Sequence, residues 1–113
     1  MTYTDCNGIE IKVGDILKWD EGRGPDYGRS IHEVSEVGGV LSAVMRIGYP
    51  AWSVLDGEEP IALKHFASYF STECKCAEII GNVNDSPEVM SVEKAWELWP
   101  DESPAAPSAR ANQ

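Results

Sequence analysis

The side chains able to act as nucleophile, base or metal ligand are few: Cys6, Cys74, Cys76, His32 and His65, set among many carboxylates. A structural zinc site takes four Cys or His ligands, normally in knuckle spacing. His65, Cys74 and Cys76 with Cys6 or His32 would supply four, but the chain has no Cys-x-x-Cys pair. Alternation along a strand places Cys74 and Cys76 on one face, where two small side chains pack beside a core. A Cys–His nucleophile pair drawn from Cys6 or Cys74 with His32 or His65 lacks a marked orienting group and an oxyanion hole. The glycine-rich stretch Gly22-Arg23-Gly24-Pro25-Asp26-Tyr27-Gly28 is not followed by Lys-Ser or Lys-Thr and opens no helix. It therefore lacks the aligned N–H groups that cradle phosphate and is expected to be a loop. The expectation is a protein with no catalytic residues, no metal and no cofactor.

The carboxylates are the stronger signal. Nine Lys and Arg against 19 Asp and Glu give a net charge of −10. The charge is uneven, with −3 over residues 1–50, −6 over 51–99 and −1 beyond. Asp56, Glu58 and Glu59 cluster around Gly57, and Glu73, Glu78, Glu88, Glu93 and Glu97 add to the same half. Carboxylates spread over a rigid surface can imitate the phosphate charge of a nucleic acid, whose duplex carries one charge per ~1.7 Å of axis. Such a face speeds encounter with a basic partner and orients it. Trp96 and Trp99 share a helical stripe that is expected to bury against the sheet, the alternative being an exposed aromatic contact, since Trp is enriched where partners meet. The expected partner-binding residues are therefore Asp56, Glu58, Glu59, Glu93, Trp96, Glu97 and Trp99.

At 113 residues, 42% of them apolar and 9% aromatic, the chain suffices for one small domain with one core. The acidic balance excludes direct, non-specific binding of nucleic acid, which needs clustered Lys and Arg. No run approaches the ~18 apolar residues of a membrane span. The start, Met1-Thr2-Tyr3-Thr4-Asp5, has neither the basic nor the apolar region of a secretory signal. With three Cys, two of them close together, a disulfide framework is not expected, which fits a reducing cytoplasm.

Residues bearing these groups must be positioned by short elements. Asn7-Gly8 is a turn, and Ile9, Ile11 and Val13 alternate with Glu10 and Lys12 as in a half-buried strand. Gly14-Asp15 turns into a strand over Ile16–Trp19. Ser30–Val37 and Val40–Ile47 flank Gly38-Gly39 as a hairpin, and Trp52–Leu55 is a short strand closed by Asp56-Gly57. Pro60–Phe70 is expected to be a strand entering a short turn. Cys76–Val83 alternates again, and Gly81 within it suits a bulge or barrel corner. Ser86 can cap a helix with Pro87 at its first position, and Val89, Val92, Trp96 and Trp99 form its apolar stripe. Pro100 stops it. The fold class expected is mainly β, a small antiparallel barrel or sandwich capped by one short C-terminal helix. The domain would run over 1–99, with 100–113 a disordered tail.

Two segments carry a resemblance. Asp5-Cys6-Asn7-Gly8-Ile9-Glu10-Ile11-Lys12-Val13-Gly14-Asp15-Ile16-Leu17-Lys18-Trp19 and Cys76-Ala77-Glu78-Ile79-Ile80-Gly81-Asn82-Val83-Asn84-Asp85-Ser86-Pro87-Glu88-Val89 together resemble the YopX-like family of small phage and prophage proteins. The family pattern runs roughly D-x-N-G-x-E-I-x-x-G-D-I-V-x-W at its opening and E-V-I-G-N-I-x-x-N-P-E-L-L at its close. The chain departs from it at Val13, at Ser86 and in its longer C-terminal part. The resemblance implies an SH3-like, largely β fold, and a phage or prophage origin, and carries over no catalytic residues. In their own right the motif glycines and turns are folding devices.

The function expected from charge and resemblance is a non-enzymatic acidic accessory protein in the cytoplasm of the host cell. It would bind and inhibit or modulate a host protein, with a nucleic-acid-binding defence protein as the target that the charge suggests. The alternatives are a homo-oligomerising accessory module and a small-ligand module, the latter needing a basic nucleotide pocket built from Lys18, Arg23, Arg29 or Arg46. Neither nucleic acid nor membrane is expected as a direct partner.

Overall fold

Gly38 and Gly39 both take positive φ, +58° and +79°, in a two-residue turn that joins the paired residues Val37 and Val40. Positive φ at both centres matches the strand twist of a tight hairpin, and glycine adopts it without strain. The turn joins β2 (Arg29–Val37) to β3 (Val40–Gly48), the longest strands in the computed structural model, which describes residues 2–22, 28–48, 53–67 and 71–102. Around that hairpin stand β1 (Asp15–Asp20), β4 (Ser53–Val54), β5 (Ile61–Ala62) and β6 (Ala77–Asn82). The pairings between these strands are antiparallel, in the order β4-β3-β2-β1-β6, with β5 also on β3. Among the described residues the sheet does not close on itself.

Two bulges decide which side chains face which way. Between β2 and β3, Ile31 pairs with Ile47 but His32 with Met45, so Arg46 is the extra residue. Between β1 and β6, Ile16 pairs with Gly81 but Leu17 with Ile79, so Ile80 is extra. The second bulge lies beside the strand glycine, as expected for a residue that lets a strand bend. A Cβ on Gly81 would stand 3.1 Å from Val89 Cγ2.

Both faces of the sheet are covered, so the chain has two apolar layers. In one, Leu17, Val34, Ala43 and Ala77 meet Ile11, Leu63 and Cys74, with Tyr3, Trp19 and Phe66 at its margin. In the other, Ile16, Ile31 and Ile47 meet Ala95 and Trp99, with Val89, Val92 and Trp96 packed around them. The second cover is the short helix α1 (Val92–Leu98). The mainly β architecture with one C-terminal helix is the one expected from the strand runs and glycine turns.

Several local expectations are corrected. The alternating stretch at Ile9–Val13 is not a strand: Ile11 is buried, but Ile9 and Val13 are exposed. The segment is instead bounded by two turns: the buried Asp5 carboxylate accepts from the backbone N–H groups of Asn7 (2.9 Å) and Ile9 (3.0 Å) at its start, and Asp15 Oδ2 accepts from Lys12 N (2.8 Å) at its end, leaving only the bridge of Glu10 to Thr4 between them. The helix also starts late. Pro87–Val89 form one 3-10 turn, and the capping residue is Ser91, whose Oγ accepts from Lys94 N at 3.1 Å, not Ser86. Pro100–Glu102 form a further 3-10 turn, so the expected tail keeps its first three residues in the fold. Its remainder, 103–113, lies outside the described residues, as do Met1, Arg23–Tyr27, Tyr49–Trp52 and Ser68–Phe70.

The two resembling segments are neighbours in space. Asp5 Oδ2 accepts from Ile79 N at 3.0 Å, Asn82 Nδ2 donates to Asp15 Oδ1 at 3.2 Å, and Val83 N donates to Gly14 O at 2.8 Å. Gly14 needs its glycine twice: its φ is +91°, and a Cβ there would stand 3.1 Å from the Asn82 amide. These motif residues join the first strand to the last and are thereby accounted for as structure.

Candidate functional site: an acidic sheet edge beside an aromatic cleft

β4 and β5 lie along the same edge of β3, but in different registers. Gly48 pairs with Ser53 and Ile47 with Val54 on one side, and Ala43 with Ile61 and Ser42 with Ala62 on the other. Leu55 N still donates to Arg46 O at 2.7 Å, after which the chain leaves the edge through Asp56-Gly57-Glu58-Glu59-Pro60 and returns slipped by three residues. The acidic cluster therefore sits on an excursion of the edge strand. Asp56, Glu58 and Glu59 are all exposed, flanked by Val54 at 71% and Ile61 at 44% exposure. Among the described residues none of these three carboxylates forms an ion pair.

Three of the cations, by contrast, are paired with carboxylates. Arg46 Nε lies 3.1 Å from Glu33 Oε1, and Lys94 Nζ lies 3.2 Å from Glu97 Oε1. Arg29 stands 3.6 Å from Asp20 Oδ2 and 3.3 Å from Asp101 Oδ2. The basic pocket that a nucleotide would need is therefore not assembled from Arg29, Arg46 and Lys18. Lys18 Nζ is 5.7 Å from the Trp99 ring centroid, and Arg23 lies outside the described residues.

Of the expected partner-binding residues, Glu93 and Glu97 are exposed on α1, and Trp96 is half-buried against the helix-side layer. Trp99 is corrected. It is 3% exposed, its indole N–H donates to Asp20 Oδ2 at 2.9 Å, and Lys18 and Arg29 flank its ring. Helix spacing put Trp96 and Trp99 on one stripe, but Trp99 is the residue that caps α1, and there its ring turns under the sheet. It is a core anchor and no contact surface. The carboxyl of Asp20 feels burial most, which pushes it up. The Trp99 indole, the Gly22 amide and the charges of Arg29 and Lys18 together outweigh this and hold it below the usual carboxylate range.

On the other face lies a cleft of about 570 Å³ that the sequence did not announce. Trp19, Phe66, Met45 and Ile61 line it, over a floor of Ser30 and His32. Trp19 and Phe66 have centroids 4.9 Å apart and planes at 73°, and Phe66 meets His32 edge-on at 5.5 Å. At the rim, the Trp19 indole N–H donates to Glu21 Oε2 at 3.1 Å. Ser30 and His32 lie two residues apart on one face of β2, so Ser30 Oγ reaches His32 Nε2 at 2.7 Å. Burial, at 3% exposure, pushes the His32 pKa down to about 4, so the imidazole is neutral at neutral pH. His32 Nδ1 has no hydrogen-bond partner among the described residues. The pair thus lacks the carboxylate that would orient a general base, and both members are buried.

The cysteines do not form a reactive centre. Cys74 is buried, Cys76 half-buried and Cys6 exposed. Burial first, and neighbouring carboxylates second, push all three thiols up, Cys74 to about 11. Among the described residues no three His, Cys, Asp or Glu are grouped to hold a metal ion, and no helix is long and apolar enough to cross a membrane. The period-two pattern of β2 could have placed Ser30 beside His32. The cleft itself depends on Phe66, which follows the 3-10 turn at Leu63–His65 and reaches Trp19 only through tertiary packing. Comparison of the chain with protein-family models, curated proteins and solved structures returns no match.

Proposed function

We propose that this chain is a non-enzymatic binding protein whose acidic sheet edge engages a basic surface on a protein partner. The observation that carries this reading is the excursion Asp56–Glu59. It presents three exposed carboxylates outside any ion pair among the described residues, on a chain of net charge −10 whose Arg29, Arg46 and Lys94 are each neutralised by a carboxylate. The field of such an edge attracts a cationic surface over roughly a Debye length, ~8 Å at physiological salt. The resemblance to YopX-like phage and prophage proteins supports a phage origin and a host protein as partner. A nucleic-acid-binding defence protein fits best, because its cleft is already basic.

The test is capture of partners from a lysate of host cells by the immobilised protein at low and high salt. It is run beside a variant carrying Asp56→Lys, Glu58→Lys and Glu59→Lys. The expected result is a stoichiometric complex with a basic protein, diminished by salt and by the substitutions. Retention that is indifferent to both removes the proposal. The exposed Val54 and Ile61 on the same edge favour a second reading, self-association of the sheet edge. A mass in solution that stays monomeric across concentration removes that reading.

A further inference from the structure

We propose that the aromatic cleft is a binding site for a small, uncharged nitrogen heteroaromatic ring, which packs on Trp19 and Phe66 and hydrogen-bonds to His32. Nothing in this site depends on the acidic edge. The cleft volume of about 570 Å³ falls within the roughly 300–1,000 Å³ of small-molecule sites, which set a few polar groups among apolar walls. Here the walls are Trp19, Phe66, Met45 and Ile61, and the polar groups are Ser30 and His32. Trp19 and Phe66 meet at 73° with centroids 4.9 Å apart. Such a corner offers a third ring the face of one partner and the edge of the other, the contacts that aromatic rings prefer. The Met45 thioether adds a polarisable wall that also favours an aromatic neighbour.

His32 supplies the second, independent feature. It is 3% exposed, its Nε2 is engaged by Ser30 Oγ at 2.7 Å, and its Nδ1 has no hydrogen-bond partner among the described residues. A buried polar nitrogen is costly to leave unpaired, and an occupant that pairs with it recovers that cost. Burial keeps the imidazole neutral, so one ring nitrogen carries a proton and the other does not. The Ser30 hydroxyl can donate or accept, so both tautomers are open and Nδ1 can act in either sense. A heteroaromatic ring with both an N–H and a bare nitrogen answers both. Nδ1 is closed to bulk water and Phe66 lies edge-on to the imidazole at 5.5 Å, so Phe66 is the ring that turns aside as the occupant enters. Nothing in the cleft selects a charge. Its floor is neutral, and the charged residues of the rim, Glu21 and Arg29, have partners of their own.

The experiment titrates the full chain, labelled with ¹⁵N, at neutral pH with benzimidazole and with indene, its carbon isostere. Two signals are followed, the indole N–H of Trp19 and the ring nitrogens of His32. The expected result is a saturable shift of both with benzimidazole, and about tenfold weaker binding of indene, which leaves Nδ1 unpaired. In the variant His32→Phe the preference should disappear, with the two compounds binding within about twofold of each other. If that variant does not fold, the His32 nitrogen shifts in the parent decide alone. Absence of a saturable response at Trp19, equal affinity of the parent for the two compounds, or His32 nitrogens that stay still while Trp19 responds would each overturn the proposal. A preference for benzimidazole that persists in a folded His32→Phe variant would do the same.

Discussion

Removing the Asp5 carboxylate should damage this fold more than any other single change to a polar side chain. Asp5 is fully buried and accepts three backbone N–H groups: Asn7 and Ile9 on Oδ1 and Ile79 on Oδ2. A hydrogen bond to a charged group contributes roughly 1.5–3 kcal/mol net. The Ile79 bond deserves that full value, because it satisfies a strand N–H inside the sheet margin. The Asn7 and Ile9 bonds lie in a turn that water can reach, so each is discounted to roughly 0.5–1 kcal/mol. Asp5→Ala should therefore cost about 2.5–5 kcal/mol, a large share of the roughly 5–15 kcal/mol that holds a typical domain together. Asp5→Asn keeps one carbonyl oxygen but turns an amide N–H₂ toward one set of donors, and should cost about 2–3 kcal/mol. Urea unfolding followed by tryptophan fluorescence measures both, and amide exchange at Ile79 locates the loss. If Asp5→Ala lost less than about 1 kcal/mol, or Ile79 kept its protection, the carboxylate would not be the tie between the first turn and the last strand.

Two further outcomes follow from the packing. Trp99→Ala should cost about 3–5 kcal/mol and release α1 from the sheet, whereas Trp99→Phe should cost less while leaving Asp20 without its indole donor, both measurable by urea unfolding. For His32 the sign is fixed by the direction of its shift. Its folded pKa of about 4 lies below the unfolded ~6.5, so the unfolded chain binds the extra proton first. The stability tied to its neutral form is complete above ~6.5 and is lost as pH falls toward 4, by about 3 kcal/mol in all. His32→Phe should flatten that part of the stability–pH curve. A variant whose curve keeps the parent slope between those values would contradict the buried, neutral assignment.

Much of the fold was legible because its signals were local. Gly38-Gly39 between two apolar runs read as a tight hairpin, and Gly81 suited a bulge or a barrel corner, of which the structure has the bulge, with Ile80 beside it as the extra residue. The stretch Ile9–Val13 misled because period two reports only alternation of side chains, while the turns closed by Asp5 and Asp15 leave too short a run between them for a strand. The same limit applies to Trp99: helical spacing gives the stripe, and the partner that buries the ring, Asp20, comes from β1. The acidic excursion was visible as composition at Gly57, though not as an interruption of an edge strand, which depends on register along β3. The aromatic cleft was hidden altogether, since Trp19, His32 and Phe66 come from separate elements.

The claim that the acidic edge guides a basic partner is most directly tested by the rate at which the captured partner associates, measured against ionic strength for the parent and for the Asp56→Lys, Glu58→Lys, Glu59→Lys variant. Electrostatic guidance predicts a parent rate that falls steeply as salt rises and a variant rate about tenfold or more lower at low salt, the two converging at high salt. Rates that coincide at low salt and ignore ionic strength would contradict it.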